Sequence, residues 1–175
     1  FASRQPVEVD IGCGKGGFLL ARAKAHPDTN FIGVERMLKR VVKVDGKISR
    51  AGLTNIRLLR LECSHVVCNM LPAESIRAVY IFFPDPWPKR RHQRRRLISG
   101  QFVDALGVVL APGGLVHLMT DHLEYFESMQ RTFARNQRFE PVPFPDFPKE
   151  EQTDFQKVFE KMGRTIGRGS FRRTG

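Results

Sequence analysis

The chain has 175 residues, of which 41% are hydrophobic, including 14 phenylalanines; this suffices for one domain with a core, is too little for two, and excludes a disordered chain. A formal charge of +11 and a pI near 10.2 point to a phosphate-rich partner, because lysine and arginine gain affinity by releasing counterions condensed on a polyanion. No apolar run approaches the roughly 20 residues of a membrane span, and no signal peptide opens the sequence, so neither a membrane protein nor an exported one is expected.

The lead-in Phe1-Ala2-Ser3-Arg4-Gln5-Pro6 is so short that an N-terminal extension of the natural protein is expected to lie outside this sequence. Residues 7–11 then read as a buried strand that breaks into the glycine cluster Gly12-Cys13-Gly14-Lys15-Gly16-Gly17. A helical pattern over residues 18–26 ends at Pro27-Asp28, and residues 30–35 form a second strand closing on Glu35. A helix over 39–51 stops at Gly52; a third strand over 56–61 is followed by a short helical stretch ending at Leu71-Pro72. Residues 76–83 form a very apolar fourth strand, which is therefore central in the sheet. Residues 94–110 read as a helix closed by Ala111-Pro112-Gly113-Gly114, residues 115–120 as a fifth strand, and residues 123–136 as a further helix. The proline-rich stretch 141–148 is expected to be a loop, followed by a basic tail over about 149–175.

Strand and helix alternate throughout, which predicts an α/β fold: a doubly wound, mostly parallel sheet with helices on both faces. With no repeat and no shift in composition, residues 1–175 are expected to form a single domain whose tail contributes to a substrate site. Ligands of such folds lie at the carboxyl ends of the strands, near the point where strand order reverses. Asp10, Glu35, Glu62, Asp85 and Asp121 all fall at or just past predicted strand ends, on one edge.

The spacing Gly12-x-Gly14-x-x-Gly17 satisfies the dinucleotide fingerprint, so an NAD(P)-dependent oxidoreductase is an alternative. Glycines at a strand-to-helix turn let backbone amides approach a ligand, and Glu35 would bind ribose hydroxyls in either class. Asp10 separates the two. An acid two residues ahead of the first glycine would repel a pyrophosphate but suits the ammonium of a methionine moiety. The order Asp10-Ile11-Gly12-Cys13-Gly14-Lys15-Gly16 resembles the E/D-x-G-x-G-x-G motif of class I S-adenosylmethionine-dependent methyltransferases.

Phe82-Phe83-Pro84-Asp85-Pro86-Trp87-Pro88-Lys89-Arg90-Arg91-His92 fences an acid at a strand end between two prolines, which fix the backbone and remove amide donors. An aromatic able to stack a base follows, and six of the eight residues from Lys89 to Arg96 are Lys or Arg. An acid, an aromatic and a basic run in succession read as a buried carboxylate at the mouth of a nucleic-acid approach; a charge run without them would be a solvated face.

Phe83-Pro84-Asp85-Pro86-Trp87-x-Lys89-x-x-His92 resembles the signature of the tRNA (guanine-N7-)-methyltransferases. The resemblance continues through Gly33-Val34-Glu35, Arg94-Arg95-Arg96, Leu110-x-Pro112-Gly113-Gly114 and His117-Leu118-x-Thr120-Asp121, in the family's order along nearly the whole chain. It implies methyl transfer from S-adenosylmethionine to N7 of a guanine in tRNA. The family positions around the cofactor fall on Asp10, Gly12, Gly14, Glu35, Glu62, Cys63 and Asp85, with Asp85 also at the catalytic centre. Those contacting tRNA fall on Lys89 and Asp121, and Arg91, in the basic run beside them, is expected to bind substrate phosphate. Glu62 stands where Asp is usual and Cys63 where a small residue is usual. Near the C-terminus the family carries Thr-x-Phe-Glu ahead of a glycine-rich turn; spacing back from Gly163 and Gly167 puts Glu160 on its acid and Lys157 on its threonine. The rival placement Thr153-x-Phe155-Gln156 keeps the threonine but loses the acid.

The N7 lone pair of guanine carries no proton at neutral pH, so its methylation needs placement rather than an obligatory base. Asp85 is therefore expected to orient the base and offset its growing positive charge, with Asp121 as a second anchor and Lys89 to Arg96 on phosphates. A non-catalytic RNA-binding module remains a further alternative, against which Asp10 and Glu35 speak. Three cysteines, Cys13, Cys63 and Cys68, form no even framework and fit a reducing cytoplasm; Cys63, His65 and Cys68 are too few for a metal site, so none is expected. No obligate protein partner is evident. Phe102, Leu106 and Val109 are expected in the core, His117 as a packed histidine, and Phe144, Phe147, Phe155 and Phe159 either along a substrate groove or over the core.

Overall fold

The computed structural model describes Phe1 and residues 4–175, so Ala2 and Ser3 of the lead-in lie outside the described residues. The elements run β1 (Val7–Ile11), α1 (Gly17–Ala25), β2 (Asn30–Val34), α2 (Leu38–Arg50), β3 (Ile56–Leu59), α3 (Cys63–Asn69), β4 (Ile76–Phe82), α4 (Gly100–Val109), β5 (Leu110–Thr120), α5 (Leu123–Ala134), β6 (Phe139–Val142), α6 (Asp154–Lys161) and β7 (Gly167–Arg173). One sheet has the order β3-β2-β1-β4-β5-β7-β6. β1 to β5 pair in parallel, and β7 runs antiparallel to both of its neighbours.

The two faces are legible along β4. Val79 and Ile81 enter one core with Phe102, Leu106, Met129 and Phe133 of α4 and α5. Ala78, Tyr80 and Phe82, on the alternate positions, enter another with Phe18 of α1 and Phe159 of α6. Because both sides are covered, β4 carries no polar face, as a doubly wound sheet requires. Strand order reverses between β1 and β4, so the crevice beyond their carboxyl ends is where a ligand fits.

Three expectations are corrected. The helix expected from Arg94 begins only at Gly100; Arg90–Arg95 is a 3-10 turn, and Ser99 caps α4 by accepting from the Phe102 amide. The proline-rich stretch is strand at its start, since Pro141 and Val142 close β6. β6 is the sheet edge, where a residue without an amide donor is tolerated. The basic tail is not a tail: it folds into α6 and β7, and β7 lies inside the sheet. Its Arg-Gly-rich composition lacks the apolar alternation of a strand, because only Gly167, Ser170 and Phe171 are buried.

Candidate active site

The turn after β1 is built for close approach. Gly12, Gly14 and Gly16 have φ of +77°, +57° and +75°, a region that disfavours any side chain. Gly12 and Cys13 donate to the Val34 carbonyl at 2.8 and 3.0 Å, which ties the turn to β2. A side chain at Gly12 would meet nothing within 4 Å, so this backbone borders open space. Asp10, only 5% exposed, flanks the turn, and no hydrogen bond or ion pair holds its carboxylate among the described residues. Burial, and then the charge of Glu35, pushes its pKa from 3.8 up to about 7.

Glu35, equally buried at the end of β2, accepts on Oε1 from the Met37 amide at 2.9 Å and on Oε2 from Arg40 Nη1 at 3.2 Å. A carboxylate has about four lone-pair sites, so capacity remains for a vicinal diol. Cys13 and Cys63 close the same cluster: burial raises both thiols, Cys63 to about 12, and each also feels Asp10 and Glu35. Glu62 does something its sequence position did not announce. Its side chain caps α3, taking the Ser64 and His65 amides at 2.8 and 3.1 Å and the Ser64 hydroxyl, all on Oε2. The bonds to Ser64 and His65 hold its pKa below the ordinary value despite the opposing effect of desolvation.

Beyond β4 the chain enters the segment of unusual composition. Phe83 and Trp87 both take positive φ, 54° and 42°, on either side of Asp85. Such conformations are unfavourable for large side chains and concentrate at functional sites. Asp85 is exposed, not buried as expected, and stands between two prolines just past the carboxyl end of β4. Trp87 is half-buried, with Arg95 over its ring at 5.0 Å and His92 edge-on at 5.8 Å. Lys89, Arg90, Arg91, Arg94 and Arg95 are exposed. Arg96 is not among them: it donates to the Pro86 carbonyl at 2.9 Å and lies 4.7 Å over Tyr125, so it braces the segment from within.

A third group forms a cleft of about 410 Å³ beside β5 and β7, lined in part by Met119, Phe144, Phe147, Gln152, Gln156 and Glu160. Glu160 accepts from Gln152 Nε2 at 3.2 Å, Gln156 Nε2 at 3.0 Å and Arg168 Nη2 at 2.9 Å. Asp121, just past β5, pairs with Arg164 at 2.7 Å. Thr153 caps α6 through the Gln156 amide, which gives it a structural task. Phe144 and Phe147 both line the cleft and pack on the core, whereas Phe155 is exposed and Phe159 lies 5.4 Å from Phe83. His117 is packed as expected, stacked on Tyr80 at 5.3 Å and bonded to Ser170 at 2.8 Å; burial, and then Arg22, lowers its pKa to about 4.

Sheet order, open glycine turn and a buried acid ahead of it define a Rossmann-like class I methyltransferase fold. Solved structures agree on the fold: a SAM-dependent O-methyltransferase from Thermotoga maritima aligns with TM-score 0.66 at 13% identity, covering 97% of this chain and 60% of that one. An rRNA methylase from Streptococcus thermophilus gives TM-score 0.63 at 14% identity, covering 98% and 88%. The family model described as putative methyltransferase matches residues 4–168. A tRNA (guanine-N(7)-)-methyltransferase of Halorhodospira halophila is 40% identical, covering 95% of this chain and 74% of its own length. One of Chromohalobacter salexigens, with the same name, is 35% identical and covers 97% and 70%. The chain belongs to the tRNA (guanine-N(7)-)-methyltransferase family.

Proposed function

We propose that this chain transfers a methyl group from S-adenosylmethionine to N7 of a guanine in tRNA, with Asp85 at the reacting base. The observation that carries the cofactor site is Asp10: a buried carboxylate with no partner among the described residues, beside a turn whose backbone borders open space. A charge in that setting is unfavourable unless a cation meets it. The α-ammonium of the cofactor is such a cation, Glu35 has lone pairs for its ribose hydroxyls, and Gly12 and Gly14 leave room for it against the backbone. Cys63 and the uncapped oxygen of Glu62 stand at the start of α3, where they would border the adenine.

Bound there, the cofactor supplies an electrophilic methyl group. Asp85, standing between two prolines, would accept from the N1–H and amino edge of guanine, hold N7 in line, and offset the positive charge that grows on the base. No proton has to leave N7, so Asp85 need not act as a base. Asp121 and Glu160 supply further acceptors on the substrate side, and Lys89 with Arg91 would meet phosphate. The target base has to leave its stack for its N1–H and amino edge to reach Asp85, because a paired base has that edge occupied. Among the described residues no helix is long and apolar enough to cross a membrane; together with three unpaired cysteines this supports work in the cytoplasm.

Incubation of the protein with tRNA and methyl-labelled cofactor, followed by mapping of N7-methylguanosine, tests the reaction; label on any other atom, or none, would overturn it. Two exposed cations give a second expectation. Lys89→Ala with Arg91→Ala should weaken tRNA binding and reduce the slope of log K against log salt by roughly 2, about 0.9 per lost phosphate contact. An unchanged slope would make the run a solvated face.

A further inference from the structure

Resting on the reading that the cleft around Glu160 takes the substrate, we propose that the ion pair between Arg22 and Glu151 is a positioning device that fixes the outer wall of that cleft onto the helix following the glycine turn. The wall is residues 144–152, which carry no regular element except a 3-10 turn at Lys149–Glu151. Phe144, Phe147 and Gln152 of this stretch line the cleft, and Gln152 donates to Glu160. Irregular chain of this length does not hold its shape without anchors. Phe144 and Phe147 give it apolar anchors on the core, and its polar anchor is one side chain of α1. Arg22 Nη1 donates to Glu151 Oε2 at 2.9 Å, and its guanidinium lies 5.4 Å over the Phe147 ring. Glu151 is 4% exposed, so this is not a surface pair traded readily for water.

Arg22 is itself fixed from below. Its Nε donates to Tyr80 Oη at 3.0 Å and to Glu8 Oε2 at 3.3 Å, and the Tyr80 hydroxyl donates to Glu8 at 2.7 Å. Glu8 is further held by Arg77. A chain of buried polar groups therefore runs from β1 and β4 through α1 to the cleft wall, and Glu151 is its last link. Removing Glu151 leaves Arg22 with Glu8, Tyr80 and His26, whose Nε2 lies 3.0 Å from Arg22 Nη1 and 3.7 Å from Glu151 Oε1, so the sheet keeps its partners while the wall loses its polar tie to α1. Glu151 would not touch the reacting atoms; it acts through Gln152 and Phe147.

The test measures kcat, the KM for tRNA and the affinity for S-adenosylhomocysteine in Glu151→Ala, Glu151→Gln, Glu160→Ala and the Glu151→Ala/Glu160→Ala double variant. Glu151→Ala should raise the KM for tRNA about tenfold, the scale on which the loss of one hydrogen-bonded substrate contact acts. Its affinity for S-adenosylhomocysteine should stay unchanged, and Glu151→Gln, which still accepts from Arg22, should recover most of the loss. The double variant should be no worse than Glu160→Ala alone, because both changes disable one wall. An unchanged KM in Glu151→Ala, or a double variant whose losses multiply, overturns the proposal. Glu160→Ala with an unaltered KM would overturn the substrate reading of the cleft instead. Should Glu151→Ala fail to fold, hydrogen exchange in Glu151→Met, which keeps the length of the side chain but cannot pair with Arg22, decides: faster exchange confined to 144–152 supports the anchor, and unchanged exchange there overturns it.

Discussion

Replacing Asp85 by alanine should lower methyl transfer by about a hundredfold or more, the scale on which one preorganised electrostatic group acts, while tRNA affinity stays close to that of the parent. The reason for expecting a functional rather than a structural loss lies in its surroundings. Asp85 is exposed, and its side chain makes no hydrogen bond among the described residues, so the fold does not lean on it. The backbone around it is held by other means: the prolines on both sides, the bond from Arg96 to the Pro86 carbonyl, and the Phe83 amide on the Met119 carbonyl at 2.7 Å. Positive φ at Phe83 and Trp87 is maintained although each such residue costs on the order of 1–3 kcal/mol. Asp85→Asn separates the two roles assigned to this residue. It keeps an acceptor for the base edge and loses the charge, so its rate should fall between those of parent and alanine variant. Parental turnover in Asp85→Ala would overturn the assignment.

The second large effect concerns Asp10, where binding and stability should move in opposite directions. Its carboxyl titrates at about 7 in the folded protein against an ordinary 3.8. Between those values the folded state holds more protons than the unfolded state, so the ligand-free fold loses stability as pH rises through that window, and above it the loss is complete. The gap corresponds to an upper bound on the order of 4 kcal/mol. Asp10→Asn removes the charge without changing the shape. The ligand-free variant should therefore melt higher than the parent at pH 8 and equally at pH 4. S-adenosylhomocysteine should bind the variant far more weakly, and the parent's affinity should fall as pH drops below 7. Thermal melts at both pH values with a cofactor titration check all three; a variant that binds as well as the parent would remove Asp10 from the site.

Much of this was legible from residue order. The glycine turn, Asp10 and Glu35 are separated by only 25 positions and sit on the first two strands, where local pattern suffices to place them. Asp85 is marked by its own neighbours. What sequence reading missed is what distance along the chain conceals. Glu151 lies 129 residues from Arg22, and no local pattern joins a glutamate in a polar stretch to an arginine on an early helix. Glu62 and Arg96 look in sequence like a ligand acid and a phosphate-binding cation. In the fold each is wholly or partly taken up by structure, one as a helix cap and one as a brace, because orphan amides and the Pro86 carbonyl claim them first. α6 and β7 escaped notice since a strand lodged between two others needs little apolar alternation when glycines lie against Phe126, as Gly167 and Gly169 do.

That lodging has a consequence for the order of assembly. β7 follows β6 in the chain yet lies between β6 and β5. While the protein is being synthesised, β5 presents an unpaired edge from the time it emerges until the segment beyond Gly167 has also left the ribosome, and β6, though it can pack on α5 through Phe139, has no strand to pair with before then. The parallel half of the sheet can form early, but completion waits on a late, arginine-rich strand whose charge disfavours pairing with a second copy of itself. The nascent chain is thus exposed to edge-to-edge association at β5 for a defined interval, which ends when β7 pairs with that edge.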